Sequence, residues 1–206
     1  MNIFTIGCFY TKNTEYENLY KSLLKESIDK FSLDSLVSER DNKGTWYKNV
    51  AEKPLVILEM LEYFRIRGFT DRKLVFLDVD SNIVSYPKLF EEIPDTYDIA
   101  FHRLDWRMWY GHNVNTKELL TGTMWFNNND KVRDLCKEWY NEAVKTNMWE
   151  QKVLEQILPN HPEISVYELP IEYCYIATMP DGSLPKVKVD SVILHYQKSR
   201  ELKRSI

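Results

Sequence analysis

Two carboxylates, Asp78 and Asp80, stand one residue apart directly after the apolar run Leu74-Val75-Phe76-Leu77. Strand alternation puts both on one side of the chain and Val79 on the other. Like charges so placed repel each other, and desolvation adds to the cost. A hard divalent cation shared with substrate phosphates offsets both terms, because such cations take oxygen ligands. Short motifs are loose, and the same pair also reads as turn or helix-cap aspartates after a buried strand. The rest of the chain has to decide between the two.

A sheet must position this pair. Leu74–Leu77 is short and continuously apolar, which suits a strand buried on both faces. Ligands of open α/β sheets gather beyond the carboxyl ends of such strands. Upstream, Asn2–Ile6 reads as a first strand ended by Gly7, with Cys8-Phe9-Tyr10-Thr11 in a loop. Tyr16, Leu19, Tyr20, Leu23, Leu24 and Ile28 fall at helical spacing, so a helix is expected over 15–30, followed by a short strand Ser35–Ser38. This strand–helix–strand unit should cross over right-handedly. A polar loop, Glu39–Asn49, leads to a second helix with Pro54 in its first turn, a stripe of Leu55, Leu58, Met60, Leu61 and Phe64, and Gly68 at its end.

Beyond the pair, a short helical stretch Lys88–Glu92 and a buried strand Asp98–Phe101 are expected, the strand ending in His102-Arg103. Leu104–Glu118 is irregular and carries Trp106, Trp109, Tyr110 and His112; long loops in compact domains are functional or mobile. Leu119–Phe126 reads as a strand interrupted at Thr121-Gly122-Thr123, where glycine lets a ligand or backbone come close. Asn127–Asp130 turns the chain and caps a helix over 131–145, and Trp149–Leu158 forms another, with Glu150 and Gln151 at its start. Strands at Ile164–Leu169 and Ser191–His195 precede a basic tail with Lys198, Arg200, Lys203 and Arg204. The whole implies an α/β fold, a mixed central sheet flanked by helices, in one domain, with a nucleotide half over about 1–103 and a substrate half over about 104–200.

Composition narrows the class. The 206 residues are 44% hydrophobic and 28% charged, as in ordinary globular proteins. A net charge of −4 gives no general pull toward a phosphate backbone, so a nucleic-acid partner would need a local basic patch. Cys8, Cys136 and Cys174 are too scattered for a disulfide framework or a zinc spacing, which suits a reducing cytosol. MNIFTIGCFY lacks the features of a signal peptide, and no stretch reaches the roughly 18 apolar residues of a membrane span. A cytoplasmic protein without a transmembrane segment is expected.

With these residues in hand, the chain resembles the GT-A (Rossmann-like) glycosyltransferases, the nucleotide-diphospho-sugar transferases, and within them the retaining galactosyltransferase and glycogenin-like group. Four signals carry the resemblance, in the family's order. Phe76-Leu77-Asp78-Val79-Asp80 resembles the Asp-X-Asp motif, and Thr121-Gly122-Thr123 precedes an apolar pair and an asparagine. Glu150-Gln151 resembles an Asp-Gln pair at a helix start. His195-Tyr-Gln-Lys198 resembles a His-X-X-Gly-X-Lys motif, without the glycine expected after His195.

The resemblance implies a metal-dependent glycosyltransferase that moves a sugar from a nucleotide-sugar donor, a UDP-sugar first, to a hydroxyl acceptor with retention. The cofactor is expected to be Mn²⁺, or Mg²⁺, on Asp80 and His195, with Asp78 bridging metal and donor ribose. Gln151 and Glu150 would lie at the reacting sugar as catalytic candidates. Lys198 would reach the donor phosphate, and Lys53 matches a family lysine at the start of the second helix. From the residues themselves, backbone groups of Gly7–Thr11 can read a nucleobase edge, and Tyr10 can stack on the base or serve the core. Arg103 suits a phosphate or an acceptor. Gly122 gives a sugar room to sit close, and Trp106, Trp109 and Tyr110 offer an acceptor platform or a hydrophobic lid. The acceptor is open: a glycan, a lipid-linked sugar, a protein side chain or a modified DNA base. Solvated lysines, a strand-end histidine and a helix-start acid account for several of these residues equally well. A nucleotide-sugar-binding scaffold without turnover is the alternative function, with an aspartate-dependent phosphohydrolase behind it.

Overall fold

The computed structural model describes residues 3–111, 113–179 and 182–202. The Asn2 start of the first strand, His112 and the Lys203–Arg204 end of the tail lie outside them. In chain order the elements are β1 (Phe4–Thr11); a helix in three parts, α1 (Glu15–Leu19), a π turn (Tyr20–Leu24) and α2 (Lys25–Lys30); β2 (Ser35–Arg40); α3 (Trp46–Val50); α4 (Glu52–Ile66); and β3 (Lys73–Leu77). There follow β4 (Ser81–Ile83), α5 (Leu89–Glu92), β5 (Ile99–Asp105), α6 (Trp106–Tyr110), β6 (Lys117–Phe126), α7 (Asp130–Thr146) and α8 (Glu150–Ile157). β7 (Val166–Glu168), β8 (Tyr175–Ile176), β9 (Ile193–His195) and α9 (Ser199–Leu202) complete the described chain.

Six strands form the main sheet in the order β2-β1-β3-β6-β5-β7, in which β6 runs antiparallel to both of its neighbours. Because β2 and β3 pair parallel on opposite sides of β1, a crevice opens at the carboxyl ends of β1 and β3. β3 is buried along its whole length, as its unbroken apolar run requires. Leu74 and Phe76 face α4, α7 and α8, where Met60, Phe64, Leu135, Trp139 and Leu154 pack. Val75 and Leu77 face the opposite way, onto Leu24, Ile28, Phe90 and Ile193. Each such side chain contributes about 1.5–3 kcal/mol of transfer free energy. The fold is mixed α/β, a helix-flanked sheet of the GT-A kind. Among the described residues no helix is long and apolar enough to cross a membrane.

Three expectations need correction. β1 does not stop at Gly7 but runs on to Thr11. A Cβ at Gly7 would lie 2.8 Å from both Leu74 Cδ1 and Met60 Sδ, so this glycine allows α4 to press close against the strand. β6 is unbroken from Lys117 to Phe126, yet its ladder with β5 bulges at the Thr-Gly-Thr triplet: β5 advances from Phe101 to Arg103 while β6 runs from Met124 to Leu119. Leu119 therefore shares a core with Met124 and Phe126, which strict alternation forbids. Finally, Leu104–Glu118 is not wholly irregular, since it holds the end of β5, α6 and the start of β6.

A second, three-stranded sheet, β4-β9-β8, has strands too short to show periodicity in the sequence. Its register pairs Ser81 with His195. That single pairing carries the last strand to the acidic pair.

Away from the crevice, Asp98 joins three elements. It accepts hydrogen bonds from Asn129, the N-cap of α7, at 2.7 Å, from the Lys131 amine at 3.0 Å, and from the Ser165 N–H and hydroxyl at 2.9 Å each. Burial alone would raise its carboxyl, but the hydrogen bonds of Ser165, Lys131 and Asn129 outweigh it and hold the group below its ordinary value. The resulting stability is present above the ordinary aspartate range and is lost as pH falls through the depressed folded value. Asp98→Asn should accordingly cost about 1–3 kcal/mol at pH 7, by denaturant titration. The gap to wild type should narrow progressively as pH falls below the ordinary aspartate range; a gap that does not change with pH would show that charge plays no part.

Candidate active site

The crevice is built from one end to the other by residues far apart in sequence. Phe9, Tyr10, Thr11 and Tyr16 line it from the first strand and helix, and Leu104, Tyr110, Leu120 and Ile176 line it from β5, α6, β6 and β8. Among them Lys53, Asp78, Asp80, Gly122, Glu150, Gln151 and His195 converge.

Lys53 lies at the centre, 4% exposed, in the first turn of α4. Its amine sits 2.8 Å from Asp78 Oδ1 and 2.9 Å from Glu150 Oε1, and it donates to Thr121 Oγ1 at 3.2 Å. Burial alone would lower its proton affinity; the charges of Asp78 and Glu150 more than reverse this and hold it above the usual lysine value. Thr121 Oγ1 donates in turn to Glu150 Oε1 at 2.9 Å. Glu150 Oε2, fully buried in the crevice wall, has no hydrogen-bond partner among the described residues. Lys53 is therefore the counter-ion of two carboxylates and not a solvated surface amine.

Asp80 is buried, and its Oδ2 accepts the Lys198 N–H at 2.7 Å. Burial, reinforced by the charge of Asp78, pushes its carboxyl up to about 6. Burial, with a smaller contribution from the Lys53 charge, pulls the His195 imidazole down to about 3, so the ring is neutral at physiological pH. His195 Nε2 lies 2.8 Å from Thr123 Oγ1. If that contact carries the Nε2 proton, Nδ1 keeps its lone pair.

Gly122 lets the His195 ring pack directly against β6 where these groups meet. A Cβ there would lie 2.9 Å from His195 Cε1, 3.0 Å from His195 Nδ1 and 3.6 Å from Asp78 Oδ2. Among the described residues no group of three His, Cys, Asp or Glu side chains is gathered closely enough to hold a metal ion as they stand. Lys53 occupies Asp78 Oδ1, and the Lys198 N–H occupies Asp80 Oδ2. The chemistry of the set suits one nonetheless: Asp78 Oδ2 and a neutral imidazole nitrogen both lie close to the Gly122 face, with Asp80 two residues from Asp78.

The family model for nucleotide-diphospho-sugar transferases matches residues 19–203. The chain belongs to that family. It is a glycosyltransferase, and a nucleotide sugar is the donor its family implies. Among solved structures it is similar to a glycosyltransferase involved in the glycosylation of the major capsid of PBCV-1, at 15% identity and a TM-score of 0.66. The match covers 98% of this chain and 99% of that one, a likeness of fold. No curated protein matches.

Not every candidate residue of the transferase reaches the crevice. Gly7 is packed under α4, and Tyr10, which does border the crevice, stacks on Tyr20 at 5.2 Å and donates to Glu39 Oε1 at 2.6 Å. Thr11 borders the crevice beside it. Arg103 lies elsewhere: its guanidinium covers the Phe101 ring at 5.1 Å and lines a separate hollow with Lys117, Glu155 and His161. The Lys198 amine turns away to Glu201, at 3.0 Å, so only its backbone N–H enters the site. Trp109 is 2% exposed in a third core with Leu104, Cys174 and Ile176, which removes it from any acceptor platform; Tyr110 does border the crevice.

In their place stand residues that sequence reasoning passed over. Arg200 borders the crevice and donates to Thr178 O at 3.1 Å. It stands five residues after His195, which is where the His-X-X-Gly-X-Lys spacing puts its basic residue, so counting would have found it. Trp46 and Trp149, with ring centroids 5.9 Å apart, and Glu118 also border the crevice; no motif signalled them.

The two glycines give a paired test. Gly7→Ala should cost about 1–3 kcal/mol through overpacking and leave nucleotide-sugar binding of the folded protein unchanged. Gly122→Ala should displace His195 and weaken that binding at least tenfold at similar stability cost. Calorimetric titration at a temperature where both are folded separates them, and equal affinities would remove Gly122 from the site.

Proposed function

We propose that this transferase moves a sugar from a UDP-sugar to a hydroxyl acceptor, with Mn²⁺ or Mg²⁺ on the diphosphate and with retention at the anomeric carbon. The observation that carries the reading is the meeting of Asp78 and the neutral His195 over the bare face of Gly122, beside the buried Asp80. Asp80 and His195 would hold the ion, and Asp78 would reach both ion and ribose. Such a mixed oxygen and nitrogen set is accepted readily by Mn²⁺. A bound ion supplies Lewis-acid neutralisation of the diphosphate leaving group.

The chain's own groups account for the remaining needs. Tyr10, Thr11 and Tyr16 line the part of the crevice in which the base would lie, so the part of the chain up to about residue 103 serves the nucleotide and about 104–200 the sugar and acceptor. Arg200 takes the part expected of Lys198, as a cation toward the diphosphate. Glu150 Oε2, unpartnered and buried, suits a sugar hydroxyl donor, while Gln151 lies next to it at the reacting sugar. Tyr110, Leu104 and Leu120 suit the acceptor's apolar face, with Trp46 and Trp149 as aromatic walls. Three buried, free cysteines suit a cytosolic setting.

The test begins with thermal shifts. A UDP-sugar together with Mn²⁺ should raise the melting temperature by mass action, and neither alone should match it. Asp80→Ala should abolish the metal-dependent part; a variant that binds donor as well as wild type removes Asp80 from the metal site. Gln151→Ala should lower kcat by about two orders of magnitude with donor affinity little changed. Losses shared equally with affinity would make Gln151 a recognition residue. The anomeric configuration of the product, read by NMR, decides retention.

A further inference from the structure

Gln151 is buried, and both ends of its amide are engaged. The carbonyl Oε1 accepts from the Thr121 N–H at 3.3 Å, and the Nε2 amino group donates to Glu118 Oε1 at 2.9 Å. The reversed amide would set its N–H groups against the Thr121 N–H, with only the Thr121 hydroxyl at 3.5 Å able to accept from them, and its oxygen against the Glu118 carboxylate. Both contacts would then be repulsive, so the neighbours admit one orientation. Of the two partners, the Thr121 amide is backbone and fixed by β6. Glu118 is a side chain and has to be held itself. The Trp106 indole N–H of α6 donates to its Oε2 at 2.9 Å, and the Lys152 amine lies 3.5 Å from its Oε1.

We propose that Glu118 is a positioning residue for the transfer reaction, fixing which end of the Gln151 amide meets the reacting sugar, and that Trp106 fixes Glu118. The inference rests on the proposed reading that Gln151 acts at the sugar. With one N–H given to Glu118 and one lone pair to Thr121, Gln151 has one N–H and one lone pair left for a ligand. Loss of Glu118 frees the amide to turn, and the group then meets the sugar with a mixture of opposite dipoles. A misplacement of this kind acts on the transition state more than on donor binding, because the diphosphate and base are held by other residues.

Two measurements test it. In the first, the side-chain amide protons of Gln151, assigned by their loss in Gln151→Ala, are followed by ¹⁵N-edited NMR. Wild type should show one strongly shifted proton directed at a carboxylate, which moves back in Glu118→Ala and only partly in Glu118→Gln. Unchanged resonances in Glu118→Ala overturn the proposal whatever the activity. In the second, hydrolysis of UDP-glucose and UDP-galactose with Mn²⁺ is measured beside calorimetric donor affinity. Glu118→Ala should lower kcat by about tenfold to a hundredfold with donor affinity within about twofold. Glu118→Gln should recover most of that loss, since its amide oxygen still accepts from Nε2, and Trp106→Phe should fall between.

Equal loss of kcat and affinity, or no rescue by Gln, defeats the positioning role. Should Glu118→Ala fail to fold, Glu118→Gln and Trp106→Phe carry the same comparison. If Gln151→Ala leaves hydrolysis unchanged, the reading of Gln151 fails, while the NMR result still decides whether Glu118 orients it.

Discussion

Two buried carboxylates and one buried amine share a nearly dry space beside the partly exposed Asp78, and the rest of the site follows from their mutual cost. Glu150 is 1% exposed, Asp80 7% and Lys53 4%, and water relieves none of them well. Removing one member of a buried ion pair costs about 3–5 kcal/mol, because the other is left uncompensated. Lys53 offsets this for Glu150 and pairs also with Asp78, where solvent screens the charge, and the two pairs tie α4 to the end of β3 and to the start of α8. Among the described residues Asp80 makes no such ion pair, and is reached by the Lys53 charge only from a distance. It has a backbone N–H from Lys198 and a carboxyl pushed upward by burial and by Asp78. Charge compensation is thus complete on one side of the acidic pair and incomplete on the other. Asp78 Oδ2 is the carboxylate oxygen that lies with His195 over Gly122, and Asp80 stands two residues on, next to Ser81, which pairs with His195.

The sheet makes this asymmetry by unequal means. Parallel pairing of β1, β2 and β3 opens the crevice, as it does wherever strand order reverses. The bulge of β6 against β5 then aims Thr121 at Lys53 and Thr123 at His195. Without the bulge, strict alternation could not keep Leu119 and Met124 in one core while the triplet between them serves the crevice. The three-residue β4 matters as much, since its pairing with β9 carries an imidazole from near the end of the chain to the acidic pair.

How much of this is legible in the sequence depends on whether a feature is local. The unbroken run Leu74–Leu77 has few solutions other than a strand covered on both faces, and the carboxylates after it inherit their place from that strand. Helices with a clear stripe and a cap, such as α7 behind Asn129, are legible for the same reason. Gly7 misleads because a glycine that breaks a strand and one that admits a neighbouring helix look alike in sequence; only Met60 and Leu74 distinguish them. Trp109 and Tyr110 are adjacent and chemically similar, yet α6 turns one into a core and leaves the other at the crevice. Arg103 fails on longer-range grounds, because the β5–β6 register shift adjoins it and Phe101 lies under its guanidinium.

Lys198 and Arg200 carry that distinction to the chemistry. Both are basic, both follow His195, and composition cannot rank them. Gln197 stands at a φ of 55°, in the left-handed region, so the chain turns sharply between the strand and α9. That turn directs the Lys198 N–H at Asp80 and brings the Arg200 side chain back over the crevice, while the Lys198 amine pairs with Glu201. The backbone of one residue and the side chain of another thereby divide the part that the motif assigns to one segment. The N–H lowers the proton affinity of a carboxylate that burial raises, and the guanidinium lines the crevice. A substrate diphosphate bound as proposed would therefore meet cationic charge from Arg200 of α9, and not from the amine of Lys198.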